Sequence, residues 1–428
     1  MCDNLVNKGI VKFGDYLKKY MAKELKFPKG FLWGASTSPH QIEGGNTNDW
    51  SQWEKSPKRI YELKKAGKNP DDFISGMACD SYNRYEEDFD LALAMNNNAH
   101  RLGADWARIM PEKGKIDMNE VEHYRKVLLA LKKRGLKVNF TLWHWPFPLW
   151  IAEQGGWANK NNIKYFSEYA DIMSRELGEY VDFWVTLNEP MIHAGHGYID
   201  GKFPPHRKSD FFGAWKAANN LAAAHNKAYK VIHNNCPGAQ VGVTNVTGYF
   251  EPAHKWNLIE KLAVKIAAYF RNEWFLDKIK GSFEFIGVNY YHHIRLSCIP
   301  PFIRNENKLV SDFGWEIYPE GIYHVIMGYK KYRKPIYILE NGVADAKDEL
   351  RKDFIINHLK YVQQAISKGA DVRGYFYWSL LDNFEWADGY AMKFGLHAVD
   401  RKTFKRTPRP SARVYGEICK NNSLTIDE

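Results

Sequence analysis

The sequence predicts an α/β protein built as a single (β/α)8 TIM barrel. Three observations point there: a repeated beat of short apolar run, polar or aromatic tip and helical stretch; eight such runs; and no linker between them. The chain has 428 residues, 45% of them apolar and 26% charged, a balance suited to a large buried core. Length alone allows about two or three average domains, but α/β barrels use a chain of this size as one.

Residues 1–26 stand apart as an extra N-terminal helical extension. Leu5, Val6, Ile10, Phe13, Leu17, Tyr20 and Met21 recur at helical spacing, and six Lys against Asp3, Asp15 and Glu24 fill much of the other face. A basic amphipathic helix of this kind can lie on an anionic membrane surface, although packing on its own protein is the commoner use. The catalytic barrel is expected over 27–428. Its strands are read as FLWGAST (31–37), HRLGADWARI (100–109), VNFTLW (138–143), DFWVTLNE (182–189), QVGVTNV (240–246), EFIGVNYY (284–291), PIYILEN (335–341) and RGYFYWSLL (373–381). Helical patterns lie between them at 124–135, 166–178, 214–233 and 351–369, several ending in Gly, as helix C-termini often do.

Composition narrows the function classes. The five cysteines, Cys2, Cys79, Cys236, Cys298 and Cys419, are scattered and never form a Cys-x-x-Cys pair, so neither a disulfide framework nor a zinc site is indicated. No apolar run approaches the roughly 18 residues of a membrane span, and the N-terminus lacks a signal-peptide h-region. A cytoplasmic location is the default expectation. The net charge of +10 is spread along the chain without a basic run, which argues against a nucleic-acid partner. Aromatic residues make up 15% of the chain, including 15 Trp. Most serve packing; some can line a site, because flat apolar rings stack on the C–H faces of sugars.

Barrel enzymes carry their chemistry where strands stop and βα loops begin. Two of the eight tips end an apolar strand in a carboxylate: Thr186-Leu187-Asn188-Glu189-Pro190 and Ile338-Leu339-Glu340-Asn341-Gly342. Such placement is costly unless the carboxylate is paired or used. Two of them in one barrel suit glycosidic bond cleavage, where one group protonates the leaving oxygen and the other attacks or activates water.

At these motifs the sequence resembles glycoside hydrolase family 1, the β-glucosidase and β-galactosidase family. TLNEP is similar to the family's acid/base motif and ILENG to its nucleophile motif. The likeness runs from about Phe27 to Glu417 through FLWGASTSPHQIEGG (31–45), HRLGADWARIMP (100–111), TLWHW (141–145), GVNYY (287–291), GWEIYPEG (314–321) and LLDNFEWADGY (380–390). The resemblance implies a retaining β-glycosidase acting on a small-molecule β-glycoside or oligosaccharide without metal or cofactor. It makes Glu340 the nucleophile and Glu189 the acid/base, with carboxyl groups roughly 5–5.5 Å apart. Arg101 and Tyr291 match positions that favour the ionised nucleophile, and Asn188 the residue that contacts the sugar 2-hydroxyl. Gln41, His144, Glu385 and Trp386 match the residues that hold the other hydroxyls, with Trp145 beside them. Trp378 matches the stacking platform, Asn289 a supporting residue, and Trp315 the aglycone border.

Departures from the family pattern fall around the entrance. His40 stands where Tyr is common, Pro146 where Asp or Thr is usual, and the stretches 248–282 and 292–311 are short. They leave aglycone preference, exact sugar and oligomeric state open. Among rivals, a phospho-β-glycosidase of the same family conflicts with Glu385, whose charge repels a phosphate. A catalytically silent sugar-binding barrel conflicts with the presence of both Glu189 and Glu340. A metal-dependent barrel hydrolase needs converging ligands, and His193, His292 and His293 read better as loop histidines.

Overall fold

The computed structural model describes residues 22–427. Eight strands, β1 (Leu32–Ser36), β2 (Ala99–Gly103), β3 (Lys137–Trp143), β4 (Phe183–Asn188), β5 (Gln240–Pro252), β6 (Phe285–Leu296), β7 (Ile336–Asn341) and β8 (Val372–Trp378), pair in parallel in chain order. The pairing of β8 with β1 closes the barrel, Gly374 lying opposite Leu32 and Trp378 opposite Ser36. All eight predicted runs are strands. Parallel strands covered by helices are buried on both faces, which is why they read as nearly continuous apolar and β-branched stretches.

The barrel interior is filled rather than hollow. Val185, Phe285, Tyr337, Leu339 and Phe376 form a cluster separate from the larger core between strands and helices. Two glycines make room for its rings. A Cβ on Gly34 would stand 2.5 Å from the Phe376 ring, and one on Gly242 would stand 2.6 Å from the Phe285 ring, distances no packed side chain tolerates.

The predicted helices are present, with ends set by capping. Met118–Lys133 starts where the Asp117 side chain accepts from Asn119 N–H, and Phe211–Asn235 where Asp210 accepts from Gly213 N–H. Asn162–Leu177 and Arg351–Ser367 complete the set. One expectation needs correction: 100–109 is not a single strand. Asp105 ends the extended run by accepting from Ala107 N–H at 2.9 Å, and Trp106–Ile109 turns into a short helix. Local side-chain capping here overrides β propensity.

The predicted N-terminal extension falls mostly on residues 1–21, outside the described residues. Its last part is not helical: Ala22–Lys26 is a strand, paired antiparallel with Ser423–Asp427. This ribbon closes the bottom of the barrel, where Trp33 Nε1 donates to Asn422 Oδ1 at 2.9 Å. At the opposite end, the beginnings of the two stretches that are short for the family continue the barrel wall. After a register shift at Thr247/Gly248, Gly248–Pro252 stays paired with His292–Leu296, and Ile303–Arg304 adds antiparallel to the same edge. The wall therefore rises above the rim on one side. Among the described residues no helix is long and apolar enough to cross a membrane.

Candidate active site

A cavity of about 900 Å³ opens at the C-terminal ends of the strands. Its floor is made by the two carboxylates singled out in the sequence. Glu340, near the end of β7, is 4% exposed and Glu189, just past β4, is 5% exposed. Pro190 explains the turn at Glu189: it cannot extend the strand and its fixed φ suits the first position of the helix Pro190–Tyr198. Glu189 itself takes φ +46°, which redirects the chain at the strand tip. Trp145 (φ +84°) and Trp386 (φ +47°) line the same cavity with left-handed backbones. Each such residue costs on the order of 1–3 kcal/mol and persists where the surroundings over-determine it.

The environments of the two carboxylates differ in kind. Arg101, fully buried on β2, donates from Nη1 to Glu340 Oε1, from Nη2 to Asn188 Oδ1 at 2.5 Å and from Nε to Thr141 Oγ1 at 3.3 Å. Tyr291 OH donates to Glu340 Oε2 at 2.9 Å. Burial lifts Glu340 above the usual carboxylate range, and the Arg101 charge and these hydrogen bonds act against it. Among the described residues no cation bonds to Glu189, and Asn289 Nδ2 donates to its Oε1 at 2.8 Å. Burial, with the charge of Glu340 second, raises Glu189 to about 8. When one proton is shared by the pair, it belongs on Glu189 and the negative charge on Glu340, where the guanidinium lies.

The other predicted residues converge on the same space. Asn188 Oδ1 also accepts from Asn289 Nδ2 at 3.3 Å, and Asn188 Nδ2 donates to His144 Nε2 at 2.9 Å. Burial, helped by the Arg101 charge, depresses His144, so its ring is neutral. With Nε2 accepting, the ring proton sits on Nδ1, a buried atom with no protein partner and therefore free to donate to a hydroxyl. Gln41 Nε2 donates to Phe384 O at 2.8 Å and to Glu385 Oε2 at 3.4 Å, while Ser38 Oγ holds its Oε1 at 2.7 Å. Trp386 packs against Trp145 at 4.6 Å and is parallel to His144 at 5.9 Å. Trp378 flanks His144 at 6.0 Å, and Trp315 stands at the mouth, stacked on Phe313 at 4.2 Å.

The structure gives His40 an account that the sequence alone did not. Its ring stacks on Trp386 at 5.5 Å and 10°, held by Glu54 Oε1 at 2.8 Å on one nitrogen and Asn48 Nδ2 at 3.1 Å on the other. It thus braces a cavity wall. Sequence reasoning missed Arg271, His196, Lys202 and Phe250, which also line the cavity; Phe250 lies in the part of β5 past its expected end at 246, and the others lie in segments without a motif. Of the three histidines near tips, His193 packs edge-on to Trp143, and His293 is pinned at 2.8 Å by both Glu316 and Glu251. His292 lines the cavity, and burial, with the charge of Arg271, pushes it down to about 3. Among the described residues no group of three His, Cys, Asp or Glu side chains is placed to hold a metal ion.

Known proteins carry the same pattern. The glycosyl hydrolase family 1 model matches residues 23–312 and 276–424. The 1,4-beta-D-glucan glucohydrolase of Thermotoga neapolitana is 33% identical over 94% of this chain and 99% of its own. The beta-galactosidase of Saccharolobus solfataricus is 31% identical over 93% and 96%. Among solved structures, a beta-glycosidase from Pyrococcus horikoshii superposes with a TM-score of 0.84 at 36% identity, covering 94% of this chain and 96% of that one. A beta-glucosidase from Thermotoga maritima in complex with glucoimidazole superposes with a TM-score of 0.86 at 32% identity, covering 93% and 100%. With a closed barrel, two buried carboxylates at its mouth and relatives aligned from end to end, the chain belongs to glycosyl hydrolase family 1 and is a glycoside hydrolase.

Proposed function

We propose that the protein hydrolyses terminal, non-reducing β-linked glucosides or galactosides with retention, using Glu340 as nucleophile and Glu189 as acid/base. The observation that carries the assignment is the asymmetry of the pair: among the described residues Arg101 and Tyr291 both donate to Glu340, whereas Glu189 receives the Asn289 amide alone. In the first step a Glu340 oxygen bonds to the anomeric carbon, the bond to the aglycone oxygen breaks, and that oxygen takes the proton of Glu189. In the second, Glu189 removes a proton from water, which displaces Glu340 and restores the starting state. An alcohol taking the place of water makes the same step a transglycosylation.

Asn188 serves the 2-hydroxyl side, because Arg101 and Asn289 hold its carbonyl oxygen beside both carboxylates. Gln41, His144, Glu385 and Trp386 serve the remaining hydroxyls, and Trp378 the sugar face. A site that hydrogen-bonds hydroxyls rejects sugars lacking them, and the Glu385 carboxyl, which burial and neighbouring carboxylates raise well above the usual range, offers a 6-phosphate no cationic partner. The free thiols of Cys79, Cys236, Cys298 and Cys419 suit the reducing cytoplasm, and residues 27–428 act as one catalytic unit.

The test is hydrolysis of a panel of nitrophenyl β-glycosides by wild type, Glu189→Gln and Glu340→Gln, with trapping by a 2-fluoro glycoside. Both variants should lose activity by on the order of 10³-fold or more, and the adduct should map to the peptide carrying Glu340. Undiminished turnover in Glu340→Gln, or an adduct elsewhere, sinks the assignment.

A further inference from the structure

The inner half of the cavity holds the carboxyl groups of Glu189, Glu340 and Glu385; the outer half carries two arginines that form no ion pair among the described residues. Arg271 lies in the turn Tyr269–Glu273, whose i→i+5 hydrogen bonding is rare and concentrates at functional sites. Arg304 lies on the short edge strand Ile303–Arg304. Both line the cavity, and the Nε of each is shielded from solvent without a hydrogen-bond partner. Among the described residues neither guanidinium has a carboxylate within 4.0 Å. Glu316 lines the same wall, but its charge is taken up by Arg295 at 2.8 Å and by His293. An arginine nitrogen withheld from water and left unbonded is costly unless a ligand fills the gap. Phe250, Phe270 and Ile303 add apolar surface to the same cavity, Phe270 next to Arg271 and Ile303 next to Arg304 in the chain.

We propose that the outer half of the cavity is an aglycone subsite for leaving groups that join an anionic group, above all a carboxylate, to an apolar body. Arg271 is the main contact and Arg304 the second. The guanidinium fork matches a carboxylate bidentately, while Phe250, Phe270 and Ile303 cover the hydrocarbon part. Arg271 and Glu189 line the same cavity, and their charges act on each other. The inference rests on the glycosidase reading above.

The experiment compares 3-carboxyphenyl and 3-carbamoylphenyl β-glucosides on wild type, Arg271→Gln, Arg271→Lys and Arg304→Gln, reading kcat/KM for each. Leaving-group reactivity and any effect on Glu189 cancel in the ratio of the two substrates within one protein, compared across proteins. The carboxylate-to-amide ratio should fall about tenfold or more in Arg271→Gln, the size of one charge-assisted hydrogen bond, mainly through KM. It should fall less in Arg304→Gln, and recover in part in Arg271→Lys. Benzoate should compete better than benzamide against wild type but not against Arg271→Gln. Inorganic phosphate as a second competitor tells whether the subsite takes any anion or needs the apolar body. A ratio unchanged in Arg271→Gln overturns the subsite, as does an equal loss on both substrates, which would assign Arg271 to Glu189 alone. Failure of wild type to cleave either glucoside would instead overturn the glycosidase reading.

Discussion

Removing a single oxygen, in Tyr291→Phe, tests how the nucleophile is kept ionised. The hydroxyl donates to Glu340 Oε2 at 2.9 Å, so its loss deprives the charged form of one hydrogen bond and the ring stays in place. A hydrogen bond to a charged acceptor is worth roughly 1.5–3 kcal/mol, and 1.36 kcal/mol corresponds to one pKa unit. Glu340 is 4% exposed, so little is lost to solvent screening. The sign is fixed by which form reacts. On the proposed assignment Glu340 attacks as the carboxylate, so the acid limb of kcat/KM against pH should report its titration in the free enzyme. Tyr291 favours the carboxylate, and without it the acid limb moves to higher pH by about one to two units. Below that limb kcat/KM falls about 10- to 100-fold, and near the optimum much less. The alkaline limb, which reports Glu189, moves less because Tyr291 does not touch Glu189. The assay is the pH profile of nitrophenyl β-glucoside hydrolysis, with a thermal melt as folding control. An acid limb that stays in place while activity falls equally at every pH refutes the reasoning.

Other outcomes follow from the same geometry. Asn289→Ala removes the amide that favours ionised Glu189; because Glu189 works protonated in the first step, the alkaline limb, expected near 8 in wild type, should rise by about one unit. An alkaline limb that falls instead would contradict the role given to Asn289. Away from the site, Arg406 holds buried Asp88 at 2.8 Å, and both side chains are almost fully enclosed. Arg406→Met leaves an uncompensated buried carboxylate and should cost about 3–5 kcal/mol in denaturant unfolding. Burial already raises Asp88, so this loss should shrink as the pH falls and the stranded carboxyl takes a proton; a penalty independent of pH would refute it.

The strands were legible because each carries its information locally. A buried parallel strand is apolar along its length, and the positions of Glu189 and Glu340 at strand tips follow from counting. The short helix Trp106–Ile109 was misread because the Asp105 cap is one side chain acting against an otherwise strand-like run. The rising wall of β5 and β6 goes beyond the strand ends expected at 246 and 291, because pairing of Gly248–Pro252 with His292–Leu296 is a contact between segments about 40 residues apart. Arg271 was missed for a related reason: a lone arginine in an unremarkable helix acquires meaning only from the cavity it lines.

By itself, then, the sequence determined the barrel and the placing of its two carboxylates, which depend on periodicity and on the fixed rule that all eight strand ends meet at one face; the residues expected around them came from motif likeness to the family. Only the tertiary structure supplied the contacts that favour the proton on one carboxylate over the other. Arg101 and Glu340 are 239 residues apart in the chain, and Asn289 and Glu189 are 100 apart. Charge placement within 3 Å, and the burial that magnifies it, exist only once the barrel closes. The roles expected of the two carboxylates from motif likeness thereby acquire a physical cause, and the cationic outer wall, which no motif marks, comes into view.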